Sequence, residues 1–180
     1  MPYLTAAVIL VGLLCSANML LLLGVVRRLR EHERLLPQAA AVPFSLGLPP
    51  VGSAMPSFTA LSTTGGPVDS DFLPLPAVIA FFDVGCEPCR EEAPRFARQA
   101  VARPELNALA VVVGEAGPMS AVLEESCLVV VEPAGGSVAE AFGVRGFPAM
   151  CLLDERGVIA ATGSDLTVLT SAPVRPGARR

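Results

Sequence analysis

The chain has 180 residues, of which 52% are hydrophobic, enough for one globular domain and an appendage. Its 13 basic residues are all arginine and its net charge is −4, and beyond one short cluster near the N-terminus no basic run exists to hold nucleic acid. With a single histidine, His32, and no second Cys-x-x-Cys, a zinc site lacks ligands, so neither a metal nor a cofactor is expected.

Leu4 to Val26 is uncharged and, at about 23 residues, long enough to cross a bilayer as one tilted helix. A cleaved signal peptide is the competing reading. Against it, Met1 to Tyr3 carries no Lys or Arg, the apolar stretch is long, and arginines follow at once. A retained single-pass anchor over 1–27 is therefore expected, with the lipid bilayer as one partner. Arg27, Arg28, Arg30 and Arg34 crowd its C-terminal flank, which by the positive-inside rule places the following domain in the cytoplasm. Residues 28–50 read as a juxtamembrane segment. Arg27 to Leu36 continues helical, and Gln38 to Ser57, rich in Ala, Pro and Gly without periodicity, reads as a linker overlapping the start of a domain placed at 51–172. Residues 173–180 read as a flexible tail.

Within the domain, Phe58 to Ser62 and Pro67 to Asp69 flank a Thr-Thr-Gly-Gly turn and predict a short hairpin. The pattern then alternates. A strand at Ala77–Phe82 precedes a helix from Pro88 to Ala102 and a strand at Leu109–Val113. A shorter helix at Met119–Glu125, a strand at Leu128–Val131 and a one- or two-turn helix at Val138–Phe142 follow. Strands at Ala149–Leu153 and Val158–Ala161 close the pattern around the turn Asp154-Glu155-Arg156-Gly157. Asp165–Ser171 forms a brief helix capped by Ser164 or Asp165. Strand–helix–strand units with continuous apolar strands imply parallel pairing with helices on both faces, and the terminal hairpin adds antiparallel strands. The fold class is α/β, with a mixed central sheet flanked by helices.

Five cysteines divide by setting. Cys15 lies within the apolar N-terminal stretch as a small filler, and Cys127 and Cys151 sit in apolar runs that read as buried strands. Cys86 and Cys89 alone have motif spacing, in Cys86-Glu87-Pro88-Cys89 between an apolar strand and a charged helix. Two thiols so placed can exchange between dithiol and disulfide. The first sits where unpaired helix N–H groups and the dipole favour a thiolate, the attacking species in disulfide exchange.

A second landmark, Gly143-Val144-Arg145-Gly146-Phe147-Pro148, lies just before a strand and a hairpin. With it the chain resembles the thioredoxin superfamily, in which a Gly-[Val/Ile]-x-Gly-x-Pro segment supplies a cis-proline facing the active-site cysteines; Pro148 matches that proline. The resemblance implies a thioredoxin-like fold preceded by the transmembrane helix. It also implies that the Pro148 loop pairs with the substrate backbone and shields the thiols from metal. Cys86-Glu87-Pro88-Cys89-Arg90-Glu91-Glu92-Ala93-Pro94 and Gly52-Ser53-Ala54-Met55-Pro56-Ser57-Phe58 resemble the signatures of the membrane-tethered TlpA-like branch. The anchor followed by residues 28–37 is similar to the layout of MauD, a maturation protein of methylamine dehydrogenase. Gly85 stands where thioredoxins have Trp, and Ile79 and Ala80 are apolar where they carry a buried Asp, so proton handling must differ. Glu92 matches the acidic residue that reductase-type relatives carry three positions after the second cysteine. It is a candidate modulator of the Cys89 thiol, or else a solvated glutamate. Asp83 is a candidate proton-handling group, or else a loop residue at a strand end, and Glu87 reads as an exposed residue.

The expected function is protein thiol–disulfide exchange. Cys86 is the nucleophile and Cys89 the buried resolving thiol, with both directions of electron flow open. The partners are client proteins with thiols or disulfides and a membrane or soluble thiol electron partner, in maturation of an extracytoplasmic protein. The competing readings are a peroxiredoxin-like peroxidase, whose usual Thr-x-x-Cys is here Asp83-x-x-Cys86, and a redox-inert binding module with this fold. The resemblance and the chemistry point the domain outward, where client disulfides exist, against the flanking arginines.

Overall fold

The computed structural model describes residues 46–171 together with Gly12, Leu14 and Met19. The expected anchor at Leu4 to Val26, the juxtamembrane helix and the tail lie outside the described residues except for those three positions, which are helical. No helix among the described residues is long and apolar enough to cross a membrane. The chain separates at Pro43 and Phe44 into two units, and the architecture below is that of the second.

A five-stranded sheet is the centre of the domain. Its strands are β3 (Ala77–Asp83), β4 (Asn107–Val113), β5 (Leu128–Glu132), β6 (Ala149–Leu153) and β7 (Ile159–Gly163), in the order β5-β4-β3-β6-β7. β3, β4 and β5 run parallel, while β6 runs antiparallel to both β3 and β7. β3 is apolar from Ala77 to Phe82 because neither face meets water. Val78, Ala80 and Phe82 point to one side, and Ala77, Ile79 and Phe81 to the other.

The first side is covered by helix α1 (Glu87–Ala102), with α2 (Pro118–Glu124) and the 3₁₀ turn Leu166–Ser171 beside it. α1 buries Cys89, Ala93, Phe96 and Ala97, a stripe at helical spacing, and Phe96 meets Phe82 edge-on with centroids 5.8 Å apart. Pro94 lies inside the helix and forgoes one ladder hydrogen bond. Among the described residues the only α-helix on the second side is the short α3 (Ser137–Ala141). The hairpin of β1 (Thr59–Leu61) and β2 (Pro67–Asp69) completes that layer, with Phe142 packed between Phe81 and Phe58. The expectation of helices on both faces thus holds fully on one face only, because the hairpin supplies most of the other.

Three further details differ from the sequence reading. The supposed linker is docked from Leu46 onward: Leu46, Leu48 and Met55 join the second-side core. Ala54 bridges Val158, and Gly52 and Ser53 exchange backbone hydrogen bonds with Ile159. Pro, Gly and Ala made it look unstructured, but its donors and acceptors pair with the edge of β7. Cys127 precedes β5 and is half-buried, its thiol donating to the Leu123 carbonyl at 3.2 Å, so the end of α2 meets it ahead of the strand. The C-terminal element is 3₁₀, with the Asp165 carboxylate accepting from Thr167 N–H as expected of a cap. The other sheet edge is covered too, since Ser62 bridges Val130 and Thr63 N–H donates to the Val129 carbonyl.

Glu132 went unremarked in the sequence. It ends β5 with 6% exposure, and its two carboxylate oxygens accept from Val138 N–H at 3.0 Å and Ala139 N–H at 2.8 Å. A helix of five residues has little stability of its own, and this carboxylate satisfies two of its orphan donors. Glu132→Ala should lower the unfolding free energy by about 1–3 kcal/mol, with Glu132→Gln losing less because one acceptor oxygen remains. Urea titrations of both variants give the measurement, and an unchanged midpoint for Glu132→Ala would deny the carboxylate this role.

Candidate active site

β3 delivers the chain to the site and α1 carries it away. Val84 N–H still pairs with the Val113 carbonyl at 3.1 Å, after which the backbone turns. The Asp83 side chain accepts from Gly85 N–H at 2.8 Å, and its carbonyl accepts from Cys86 N–H at 3.1 Å. Asp83 therefore closes β3 and shapes the turn that follows it, in agreement with its reading at a strand end. Close by, Gly114 has φ +124°, and a Cβ there would overlap the Val84 side chain, so the loop ahead of Cys86 packs against a position open only to glycine.

Cys86 is the N-cap of α1, in extended conformation, with Glu87 in the first turn and Pro88 just inside. Its sulfur accepts from Cys89 N–H at 3.3 Å, one of the helix's orphan donors. That contact and the dipole favour negative charge on Cys86. Cys86 and Cys89 are joined as a disulfide, with Cα atoms 5.3 Å apart. Cys86 is half-buried, whereas Cys89 has no exposed surface. An attacking group from outside therefore meets the Cys86 sulfur first.

The Phe147–Pro148 peptide is cis, and the Phe147 carbonyl oxygen lies 3.5 Å from the Cys86 sulfur. In the disulfide this is a close approach without a proton; a reduced, protonated Cys86 can donate to it. The structure thus brings Cys86, Cys89 and Pro148 together. A second cis peptide, Leu75–Pro76, sits at the opposite end of β3 and was not anticipated. Glu92 is on α1, one turn beyond Cys89, and its carboxylate pairs with Arg95 at 3.4 Å. Glu87 is exposed and pairs with Arg90 at 3.2 Å.

The remaining described cysteines are free. Burial pushes the thiols of Cys127 and Cys151 up to about 12 from the ordinary 9.0. They stay protonated, and so unreactive, across the neutral range.

A family model for the AhpC/TSA family matches residues 51–162, and the chain belongs to that family. The fold is thioredoxin-like. A thiol:disulfide interchange protein from a Bacteroides species, solved in solution, is similar at 24% identity and a TM-score of 0.57, over 73% of this chain and 93% of that one. The thioredoxin domain of a thiol-disulfide oxidoreductase from Bacteroides vulgatus is 23% identical with a TM-score of 0.55, over 67% and 93%. A crystallised protein from Chlorobium tepidum, described as a thiol:disulfide interchange protein DsbE, is 23% identical with a TM-score of 0.54, over 68% and 91%. No curated protein sequence matches the chain.

After reduction, brief alkylation at pH 8 should label Cys86 well ahead of Cys89, Cys127 and Cys151, as read by peptide mass mapping. Equal labelling of all four would contradict the assigned burial. The two raised thiols also set a pH dependence. Because each folded value lies above the unfolded one, their contribution to stability is complete below about pH 9 and is lost as pH rises toward 12. The chain has no lysine and one tyrosine, so few other groups titrate in that window. The melting temperature of the oxidised protein should fall from pH 9 to 11, and the fall should be shallower in Cys151→Ala.

Proposed function

We propose that this protein is a thiol–disulfide oxidoreductase that exchanges disulfides with client proteins through Cys86 and Cys89. The observation that carries the reading is the half-buried sulfur of Cys86 at a helix N-cap, bonded to a Cys89 sulfur that no solvent reaches. The family match, the thioredoxin-like fold and the similarity to proteins described as interchange proteins support it.

In the oxidising direction a client thiolate attacks the Cys86 sulfur and the Cys86–Cys89 bond breaks. Cys89 leaves as a thiolate and takes up a proton. A second client thiolate then attacks the client sulfur of the mixed disulfide and expels Cys86, whose thiolate the helix N-terminus receives. The client loses two electrons and the protein gains them as a dithiol. The reducing direction is the reverse: Cys86 opens a client disulfide and Cys89 resolves it. In this reading Phe147 and Pro148 present backbone to the client beside the reacting sulfur. Glu92, held by Arg95, exchanges the proton of Cys89.

We further place the domain outside the cytoplasm, tethered by Leu4 to Val26, in the TlpA-like and MauD-like manner, maturing an extracytoplasmic protein. The uncharged stretch supports the tether, and the need for client disulfides supports the side. After treatment with an impermeant reductant, an impermeant thiol reagent should label Cys86 in intact cells; labelling only after lysis would reverse the orientation.

Cys89→Ser should accumulate mixed disulfides between Cys86 and client proteins, visible as adducts that a reductant removes, while Cys86→Ser should neither exchange nor trap. Absence of adducts under both oxidising and reducing conditions would refute the exchange mechanism. Consumption of hydrogen peroxide without insulin reduction would indicate a peroxidase instead. Glu92→Gln should slow resolution of the mixed disulfide while leaving the alkylation rate of Cys86 unchanged.

A further inference from the structure

The loop that faces Cys86 is held at three points. It leaves α3 through a Schellman cap: Gly143, at φ +65°, donates from its N–H to the Glu140 carbonyl, and Val144 N–H reaches back to the Ala139 carbonyl at 2.9 Å. It ends where the Phe147 carbonyl stands over the Cys86 sulfur. Between these points Arg145 N–H donates to the Leu46 carbonyl at 2.8 Å.

That third hold comes from outside the family-matched residues, which begin at 51. At this crossing the two backbones approach as only glycine allows, from both sides. Gly47 has φ +76°, and a Cβ on it would overlap the Gly143 carbonyl oxygen and lie 3.0 Å from Cγ of Arg145. A Cβ on Gly143 would in turn lie 3.0 Å from the Gly47 carbonyl oxygen. Leu46 and Leu48, on either side of Gly47, pack into the same apolar cluster as Val144 and Phe147. Backbone crossing and side chains thus fasten residues 46–48 to the loop along most of its length.

We propose that residues 46–48 form a latch in which Gly47 is a positioning residue, setting the Phe147–Pro148 loop against Cys86. The inference deepens the exchange reading and rests on it for the client, although its effect on the Cys86 sulfur does not depend on any client. A carbonyl oxygen beside the sulfur accepts a hydrogen bond from the neutral thiol and repels the thiolate, opposing the N–H of Cys89. Holding the loop in place therefore restrains the nucleophile while keeping the client-facing backbone in register. Loosening it frees the thiolate and degrades docking.

The test compares Gly47→Ala with Gly52→Ala in the full chain. Gly52 has φ +90° on the same segment with no atom near its would-be Cβ, so its substitution imposes backbone strain without touching the loop. Gly47→Ala should lower the midpoint of Cys86 alkylation rate against pH by about half a unit, or about threefold more thiolate below the midpoint. It should also raise KM for insulin while sparing exchange with a small aromatic disulfide. Amide exchange should show Arg145 N–H losing protection, and Gly52→Ala should do none of this. Should Gly47→Ala not fold, the double variant Leu46→Ala/Leu48→Ala loosens the same latch without strain and should move the same readouts. The proposal is overturned if the alkylation midpoint stays put while the Arg145 amide becomes unprotected, or if Gly52→Ala shifts it equally. Loss of insulin exchange in the unmodified protein would instead defeat the exchange reading and leave the alkylation test standing.

Discussion

The first turn of helix α1 aims an unpaired backbone N–H at the Cys86 sulfur, and the rest of the site is arranged around that interaction. A helix start leaves four donors without partners, and here one of them, Cys89 N–H, is met by sulfur where a side-chain oxygen is usual. For this geometry to persist, α1 must be fixed against the sheet. Cys89, Ala93, Phe96 and Ala97 do this by burying one stripe of the helix on Val78, Ala80 and Phe82 of β3. The same burial that anchors the helix removes Cys89 from solvent, so stability and the unequal exposure of the two sulfurs have a common cause.

Against that positive pole the fold sets a negative one. The Phe147 carbonyl approaches the same sulfur from the loop between α3 and β6. That loop depends on α3, a five-residue helix secured by the buried carboxylate of Glu132 at its start and by the Gly143 cap at its end. The Cys86 sulfur thus lies between a donor supplied by one face of the sheet and an acceptor from the loop that follows α3. The acceptor arm is not local, because β5 supplies Glu132 and residues 46–48 supply the partner of Arg145.

Much of this was readable beforehand. Alternation of apolar runs with charged, helix-favouring stretches located each strand from β3 to β7 and the helices α1 to α3 to within a few residues, because strands covered on both faces are apolar throughout. Spacing singled out Cys86 and Cys89 and resemblance singled out Pro148, three residues that the structure brings together. Glu132 was missed because a single glutamate at the end of an apolar strand carries no local mark of what it accepts from. Residues 46–50 were read as linker, and the linker reading ran on into the domain's first residues, because composition reports flexibility, whereas the hydrogen bonds of this segment to Ile159, Gly157 and Arg145 span about a hundred positions of chain.

The order of the elements, the place of Cys86 at a helix start and the chemistry two close thiols can perform were all determined by the sequence alone. These depend on neighbours within a few residues, where periodicity, capping and spacing act directly. The depth of Cys89, the distance from the Phe147 carbonyl to the Cys86 sulfur, and the meeting of Gly47 with Gly143 were decided only by tertiary structure. Each brings together groups far apart in the chain, and such distances are fixed by how the sheet's two faces are packed.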